Sequence, residues 1–234
     1  DELRHNITTI HKKWDNAHAV LSGDGLGALG PLYIGKIQKN TLKILIRYNE
    51  VILEICEGQA YDMEFENRND ITVKDYLKMS QKKTGSLFEL CFEIPSLISE
   101  KYSNYVNELK NLGRNLGVIF QIQDDVLELL LDDNQMGKGT LSDITRHKKT
   151  ILNCIAYEKD SKAWHVFRKS ISNLDNNKKK RAILEFFEKN SIKSEAINIL
   201  NKHVSKCDKI VLNLPKEIQK GLNELIDYIV KRKK

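Results

Sequence analysis

Acidic and amide side chains form a stripe along an otherwise apolar segment, residues 117–132, which reads GVIFQIQDDVLELLLD. At about 100° per residue of helix, the stripe occupies a sector about 100° wide. Most other positions are Val, Ile, Leu or Phe, so we expect this helix to be largely buried and its stripe to face an interior cavity. Crowded interior carboxylates lose hydration and repel one another, and therefore need cations as partners. The stripe consists of Gln121, Asp124, Asp125, Glu128 and Asp132.

The cation that suits this spacing of hard oxygen ligands is Mg²⁺, whose usual companion in such a site is a substrate that carries phosphate. The candidate metal ligands are the carboxylates of this stripe. Taken alone, the segment leaves one alternative open, an amphipathic helix with a solvated acidic face.

Lysines beside small residues form a second group of candidates. The tripeptide KTG at residues 83–85 places a cation and a hydroxyl next to a glycine, where an anion can approach closely. A lysine at a helix edge, with the glycine serving helix packing, is the alternative. The GKGT at residues 137–140 is a weaker signal, typical of a turn, but Asp143, Lys148 and Thr150 follow it. Acids that hold Mg²⁺ and lysines that hold outer phosphate oxygens together suit a diphosphate.

The remaining pattern predicts long helices with short connections. Apolar positions recur at helical period, and Thr72 is placed to cap the helix that follows it. The sequence shows no alternating strand pattern, no repeat and no interdomain linker, so it predicts an all-α, single-domain helical bundle over residues 1–234. The predicted helices span residues 15–30, 38–66, 73–94, 103–133, 149–157, 160–172, 177–190, 192–211 and 215–231, with a loop at 134–148.

Composition and charge narrow the function classes. With 234 residues, 41% of them hydrophobic, the chain can bury one sizeable core. The net charge of +6 is uneven, because residues 151–234 hold 19 Lys and Arg against 10 Asp and Glu. The basic cluster at residues 178–181 lacks interleaved aromatic residues and a glycine loop, so solvated helix faces explain it and nucleic-acid binding is not expected.

Cysteine usage and hydropathy indicate the compartment. Four cysteines without ligand-like spacing are expected to be small core residues in a reducing environment. No apolar run is long enough to span a bilayer and no signal peptide opens the sequence, so we expect a cytoplasmic protein without membrane insertion. The cysteines are Cys56, Cys91, Cys154 and Cys207.

Residues 117–150 resemble the second aspartate-rich region of the trans-isoprenyl diphosphate synthases, the polyprenyl synthetases, of the short-chain type that makes geranylgeranyl or farnesyl diphosphate. The resemblance extends upstream through KTGSLF at residues 83–88, Gly58-Gln59 with Asp62, and SGD at residues 22–24. It covers about the first 150 residues. The residues that carry it in the second region are Phe120, Gln121, Asp124, Asp125, Gly137, Lys138, Asp143, Ile144, Lys148 and Thr150.

This resemblance implies the isoprenoid synthase helical bundle around a central cavity, working as a homodimer. The implied reaction is Mg²⁺-dependent condensation of an allylic diphosphate with isopentenyl diphosphate. Diphosphate leaves to give an allylic carbocation, the isopentenyl double bond attacks it, and a proton is lost. Stabilisation of the leaving group in a dry cavity would carry the catalysis, without a protein nucleophile.

The same resemblance implies roles for individual residues. Asp124, Asp125 and Glu128 would form the second metal-binding motif. Arg4 and His5 would bind isopentenyl diphosphate. The residues that would contact the allylic diphosphate or its magnesium cluster are Lys83, Thr84, Gln121, Lys138 and Lys148.

The sequence also departs from the family pattern. The first aspartate-rich motif, expected just before Asp1, is not in the sequence. The residues that set product length in the family lie just before that motif and are not in the sequence either. The second arginine of the family is His5 here, the following glycine is Asn6, and Glu128 stands where Asp is usual. We favour a piece of a longer chain; the alternatives are a non-catalytic partner subunit and a terpene cyclase, although cyclases normally lack the Lys-Thr and Gly-Lys features.

The basic carboxy-terminal residues 231–234, KRKK, leave two interpretations open. They could close over the diphosphates, as similar basic tails do in some relatives of the family. A solvated tail without a role in the site is the other interpretation.

Overall fold

The computed structural model is an all-α bundle that describes residues 2–4, 7–130 and 148–232, and it confirms the predicted fold class. Each predicted helix is present with ends within a few residues of the predicted ones, except that residues 73–94 form more than one element, and two short helices, Ile10–Lys13 and Glu100–Tyr105, were not predicted. The helices are α1 (Ile10–Lys13), α2 (Asn16–Ile34), α3 (Thr41–Glu66), α4 (Val73–Ser80), a π turn (Gln81–Gly85), α5 (Ser86–Ile98), a 3₁₀ helix (Glu100–Tyr105), α6 (Val106–Leu130), α7 (Ile151–Lys159), α8 (Ser161–Ser170), α9 (Asn176–Lys189), α10 (Ile192–Leu212) and α11 (Lys216–Lys231).

A short hairpin precedes the helices. Strand β1 (Leu3–Arg4) pairs antiparallel with β2 (Ile7–Thr8), with Leu3 opposite Thr8. The prediction of no strand is wrong here, because two-residue strands are too short to show the alternation that identifies a strand in a sequence.

The acidic-stripe helix α6 runs through the centre of the main core. Four of its apolar residues, Leu112, Leu116, Ile119 and Ile122, have no exposed surface. It packs most extensively against α5 and α10 and also contacts α4, α7 and α11. The prediction that this helix is buried around most of its circumference is therefore confirmed, and its polar residues are the exception that requires an explanation.

Local capping sets the start of α4. The Thr72 hydroxyl accepts a hydrogen bond from Asp75 N at 3.2 Å, and Asp75 Oδ2 accepts one from Thr72 N at 3.1 Å. This reciprocal capping box confirms the predicted N-cap. The predicted continuous helix over residues 73–94 is wrong in one respect, because the π turn interrupts it before α5 continues to Ile98.

Buried charges join α3, α5 and α6. Glu89 and Glu93 of α5 are 1% and 4% exposed, and Arg47 of α3 donates to both at 2.9 Å. From α6, Arg114 donates to Glu89 at 2.7 Å and Lys110 lies 3.4 Å from Glu93. Losing one partner would leave a buried charge uncompensated, so this network fixes how the three helices pack.

Two of the four cysteines do not fit the expectation of core residues. Cys154 and Cys207 are buried, whereas Cys56 and Cys91 are exposed. Cys56 on α3 and Cys91 on α5 recur with the same helical period as the apolar residues around them. The faces of α3 and α5 that carry these two cysteines are not covered by the neighbouring helices that the structure describes.

Apolar side chains remain exposed on α2 and α3. Large exposed apolar patches are common at interaction surfaces. In the part of the chain that the structure describes, no helix is both long and apolar enough to cross a membrane. The exposed residues are Val20, Leu21, Leu26, Leu29, Leu32 and Tyr33 of α2, and Leu42, Ile46 and Leu53 of α3.

Candidate active site

Two glycines allow three elements to meet at the π turn. A Cβ on Gly58 of α3 would overlap the backbone nitrogen of Lys83. A Cβ on Gly117 of α6 would lie 2.5 Å from the Cα of Gly85. Because only glycine fits at such distances, α3 and α6 approach the turn backbone to backbone, one from each side.

The π turn directs consecutive side chains to different helices. The Lys83 ammonium pairs with Asp62 of α3, a residue that is 6% exposed. The Thr84 hydroxyl donates to Gln121 Oε1 of α6 at 2.9 Å. The turn thus brings three predicted site residues together, Lys83, Thr84 and Gln121, and Asp62 holds the cation in place.

Asp125 continues this chain of polar contacts inside the core. Gln121 Nε2 donates to Asp125 Oδ1 at 3.1 Å, and the backbone N–H of Ile151, at the start of α7, donates to Asp125 Oδ2 at 2.9 Å. Burial raises the pKa of Asp125 to about 6, although these hydrogen bonds and the charge of Lys148 act in the opposite direction. Both oxygens of Asp125 therefore bind protein groups, and the residue links α6 to α7.

Two hydroxyls beneath Asp125 were missed by the sequence reasoning. Tyr76 and Ser80 of α4 are 1% and 0% exposed. Neither hydroxyl has a hydrogen-bond partner among the residues that the structure describes. Burial, and then the Asp125 carboxylate, raise the pKa of Tyr76. The signal available in the sequence was their spacing, one helical turn apart and just before the Lys-Thr pair.

Asp124 has a different environment from its neighbour. Its side chain is 45% exposed, against 4% for Asp125, and it forms an ion pair with Arg232, which follows α11. The Arg232 guanidinium lies 4.1 Å from the centre of the Phe120 ring, and Gln123 Nε2 donates to the Arg232 carbonyl at 3.4 Å. Arg232 thus contacts the acidic stripe, residues 233–234 lie outside the described residues, and closure of the tail over the diphosphates stays a prediction.

The other predicted site residues lie in several places. Glu128 is half-buried on α6, one turn beyond Asp124, and Lys148 is half-buried just before α7. Thr150 caps α7 by accepting from Asn153 N at 3.4 Å. Arg4 is exposed on β1, and no contact among the described residues joins it to the stripe. His5, Lys138 and the loop that holds Lys138 lie outside the described residues.

The donor set fits a divalent cation that is shared with a ligand. Over residues 2–4, 7–130 and 148–232, no three acidic, histidine or cysteine side chains converge into a complete cage. Mg²⁺ does not need one, because it commonly takes one or two carboxylates and completes its shell with water and substrate phosphate. The guanidinium on Asp124 shows that this carboxylate faces a position where a cation is stable.

A buried histidine anchors the middle of α6 to α10. His203 is 7% exposed, and its Nδ1 lies 2.8 Å from Asn115 Oδ1. Because the Asn115 amide nitrogen donates to Asn111 O at 2.7 Å, its oxygen faces the imidazole and His203 Nδ1 is the donor. Burial, and to a lesser degree Lys206, lower the pKa of His203 from 6.5 to about 4.

This shift predicts a stability loss in acid. Between pH 6.5 and about 4, His203 is protonated in the unfolded chain but neutral in the folded protein. The free energy of unfolding therefore falls as the pH falls through this range. For one proton, the free energy of unfolding can change by at most about 1.4 kcal/mol per pH unit. Urea unfolding at several pH values should show a flatter profile for His203→Gln. The exposed His165→Gln variant is the control, and a wild-type profile as flat as that of His203→Gln would contradict the prediction.

Comparisons with known proteins show which family, relatives and solved structures the chain resembles. Residues 1–188 match the model of the Polyprenyl synthetase family. Over 236 aligned residues the chain is 30% identical to a geranylgeranyl diphosphate synthase of Methanosarcina mazei, which covers 99% of this chain and 72% of the relative. Over 247 aligned residues it is 31% identical to a geranylfarnesyl diphosphate synthase of Aeropyrum pernix, covering 100% and 76%. The crystal structure of a geranylgeranyl pyrophosphate synthetase from Pyrococcus horikoshii superposes with a TM-score of 0.89 at 30% identity, covering 99% and 72%.

Proposed function

This chain belongs to the polyprenyl synthetase family, and from that premise we propose that α3, the π turn and α6 bind the diphosphate of an allylic substrate. The chain is a prenyltransferase that lengthens isoprenyl chains by condensing an allylic diphosphate with isopentenyl diphosphate. The observation that carries the proposed site is the continuous set of contacts from Asp62 through Lys83 and Thr84 to Gln121 and the acidic stripe.

Each part of this set has a distinct task. Lys83, held by Asp62, and Lys148 supply fixed positive charge for the outer oxygens of the diphosphate. Thr84 and Gln121 align the π turn with α6, so the Lys83 ammonium stays at a fixed distance from the acidic stripe. Asp125 binds Gln121 and the start of α7, and therefore positions the stripe from beneath instead of presenting a free carboxylate.

We assign direct metal contact to Asp124 and Glu128, and the metal to Mg²⁺. Mg²⁺ between these carboxylates and the diphosphate would stabilise the negative charge that develops as diphosphate leaves. The half-exposed Asp124 fits this task because a carboxylate open on one side can share a cation with a ligand. The apolar walls of α6 limit access of water to the cationic intermediate.

The test is an assay of the full chain with radiolabelled isopentenyl diphosphate, Mg²⁺ and allylic diphosphates of increasing length. Acid-labile radiolabelled product that disappears with a chelator is the expected result, and chromatography after dephosphorylation gives its length. Geranylgeranyl diphosphate is the product we propose, with farnesyl and geranylfarnesyl diphosphate as neighbouring outcomes. No product with any starter would refute the proposal; product only after addition of a second subunit would identify a non-catalytic partner.

We also propose a homodimer that uses the exposed apolar face of α2 and α3. Leu42, Ile46 and Leu53 recur on one side of α3, and α2, which contacts α3, exposes six large apolar residues around its circumference. Leaving these side chains in water forgoes about 25 cal/mol for every Å² of apolar surface, so a second copy that covers the face would be stabilised.

Replacing Leu32 by glutamate should dissociate this dimer. Leu32 is 64% exposed in the single chain, and a charge buried at an interface costs enough to raise the dissociation constant about tenfold or more. Light scattering after size-exclusion chromatography should give a dimer mass for the wild type and a monomer mass for Leu32→Glu. Leu212→Glu, at a 73% exposed position on α10, is the control and should remain a dimer. A monomeric wild type at micromolar concentration would refute the proposal.

A further inference from the structure

We infer that Arg232 is a built-in counter-ion of Asp124, which a divalent metal ion displaces when it binds. The inference rests on the proposed function, because it takes Asp124 as a ligand of that metal. It adds Arg232 to the residues of the site. It also means that the metal ion and Arg232 compete for the carboxylate of Asp124.

Three residues within one turn of α6 hold Arg232. Asp124 provides the charge, the Phe120 ring lies 4.1 Å from the guanidinium, and Gln123 binds the Arg232 carbonyl at 3.4 Å. A planar guanidinium is the cation that can pair with a carboxylate and stack on an aromatic face at once. The three side chains therefore form a specific cradle for arginine, located next to the acidic stripe.

The cradle does not satisfy Arg232 completely. Its side chain is 15% exposed, and its Nε is buried without a hydrogen-bond partner among the described residues. A buried donor without a partner costs free energy, so the contact is weaker than a fully paired arginine would be. A divalent ion carries twice the charge and needs the same carboxylate oxygens, which gives it the advantage in an exchange.

The local backbone allows Arg232 to leave without unwinding α11. The helix ends at Lys231, and Arg232 has φ −55° and ψ 134°, which is an extended conformation outside the helix. Lys231 pairs with Asp227 one turn earlier at 2.6 Å, so the last turn of α11 keeps its own contact.

The experiment titrates the full chain with Mn²⁺, followed by electron paramagnetic resonance, in the absence of substrate. Arg232→Gln should bind Mn²⁺ about 3- to 10-fold more tightly than the wild type, since a partly exposed ion pair no longer competes. Lys231→Gln, which removes a neighbouring charge that does not touch the stripe, should stay within about twofold of the wild type.

Each other outcome has a defined meaning. Unchanged Mn²⁺ affinity in Arg232→Gln would overturn the inference, and weaker affinity would show that Arg232 orients Asp124 instead of competing for it. Asp124→Asn distinguishes a failure of the proposed metal site from a failure of the counter-ion inference. If this variant binds Mn²⁺ as well as the wild type does, the proposed metal site fails; if it binds poorly while Arg232→Gln is unchanged, only the counter-ion inference fails.

Discussion

Replacement of Asp124 by asparagine is expected to lower the turnover of prenyl transfer about 10²- to 10³-fold while the protein stays folded. The amide keeps the shape of the side chain but removes the negative charge that shares the metal with the diphosphate. Because the Asp124 side chain is 45% exposed, its charge is not needed to satisfy the core. Turnover with saturating substrates and Mg²⁺ measures the first effect, and thermal unfolding measures the second.

Asp208→Asn provides the matched control. Asp208 is exposed on α10, away from the stripe, so the same chemical change there should leave turnover within about twofold of the wild type. Turnover of Asp124→Asn close to the wild-type value would remove this residue from the metal site. An unfolded Asp124→Asn variant would show instead that the charge supports the bundle, contrary to its partial exposure.

Gly58→Ala is expected to cause the largest loss of stability among single-methyl changes in the described chain. The new Cβ would overlap backbone atoms of Lys82 and Lys83, which cannot rotate away as a flexible side chain could. Overpacking against backbone costs about 1–3 kcal/mol or more. The turn must also move away from α3, so we expect Lys83 to leave Asp62 and the affinity for the allylic diphosphate to fall.

Gly221→Ala tests whether this loss comes from the close approach or from the substitution itself. Gly221 lies inside α11, and a Cβ there meets nothing within 4 Å. Alanine should therefore stabilise the protein by about 0.5–1 kcal/mol, through its better helix propensity. Chemical denaturation gives both free energies of unfolding. If Gly58→Ala unfolds at the wild-type denaturant concentration, α3 does not approach the turn as closely as the structure indicates.

Much of the fold could be predicted because the decisive interactions are local. The 3.6-residue period of the apolar positions identified α6, and Thr72 marked the start of α4. The π turn could not be predicted in this way, because the contacts that favour it are not local. Its wider hydrogen-bonded turn is favoured by the approach of Gly58 and Gly117, which lie far from it in the chain.

The site shows the same division. The stripe placed Asp124 and Asp125 side by side, but the period alone could not distinguish an open carboxylate from a buried one. Asp125 is buried and Asp124 is open because α4 and the start of α7 pack against Asp125. Both elements lie far from Asp125 in the sequence. Arg232 lies 108 residues from Asp124, so its contact depends on the whole arrangement of the carboxy-terminal helices.

The π turn also determines the rotational phase of everything that follows it. An α-helix turns by about 100° for each residue, so the extra residue that a π turn accommodates offsets α5 by that angle relative to α4. Deleting one residue from the turn would restore an uninterrupted α-helix and leave the buried Glu89 and Glu93 facing Arg47, whereas an uninterrupted helix of the present length would turn both away from it. The π geometry and the length of this turn are therefore fixed together.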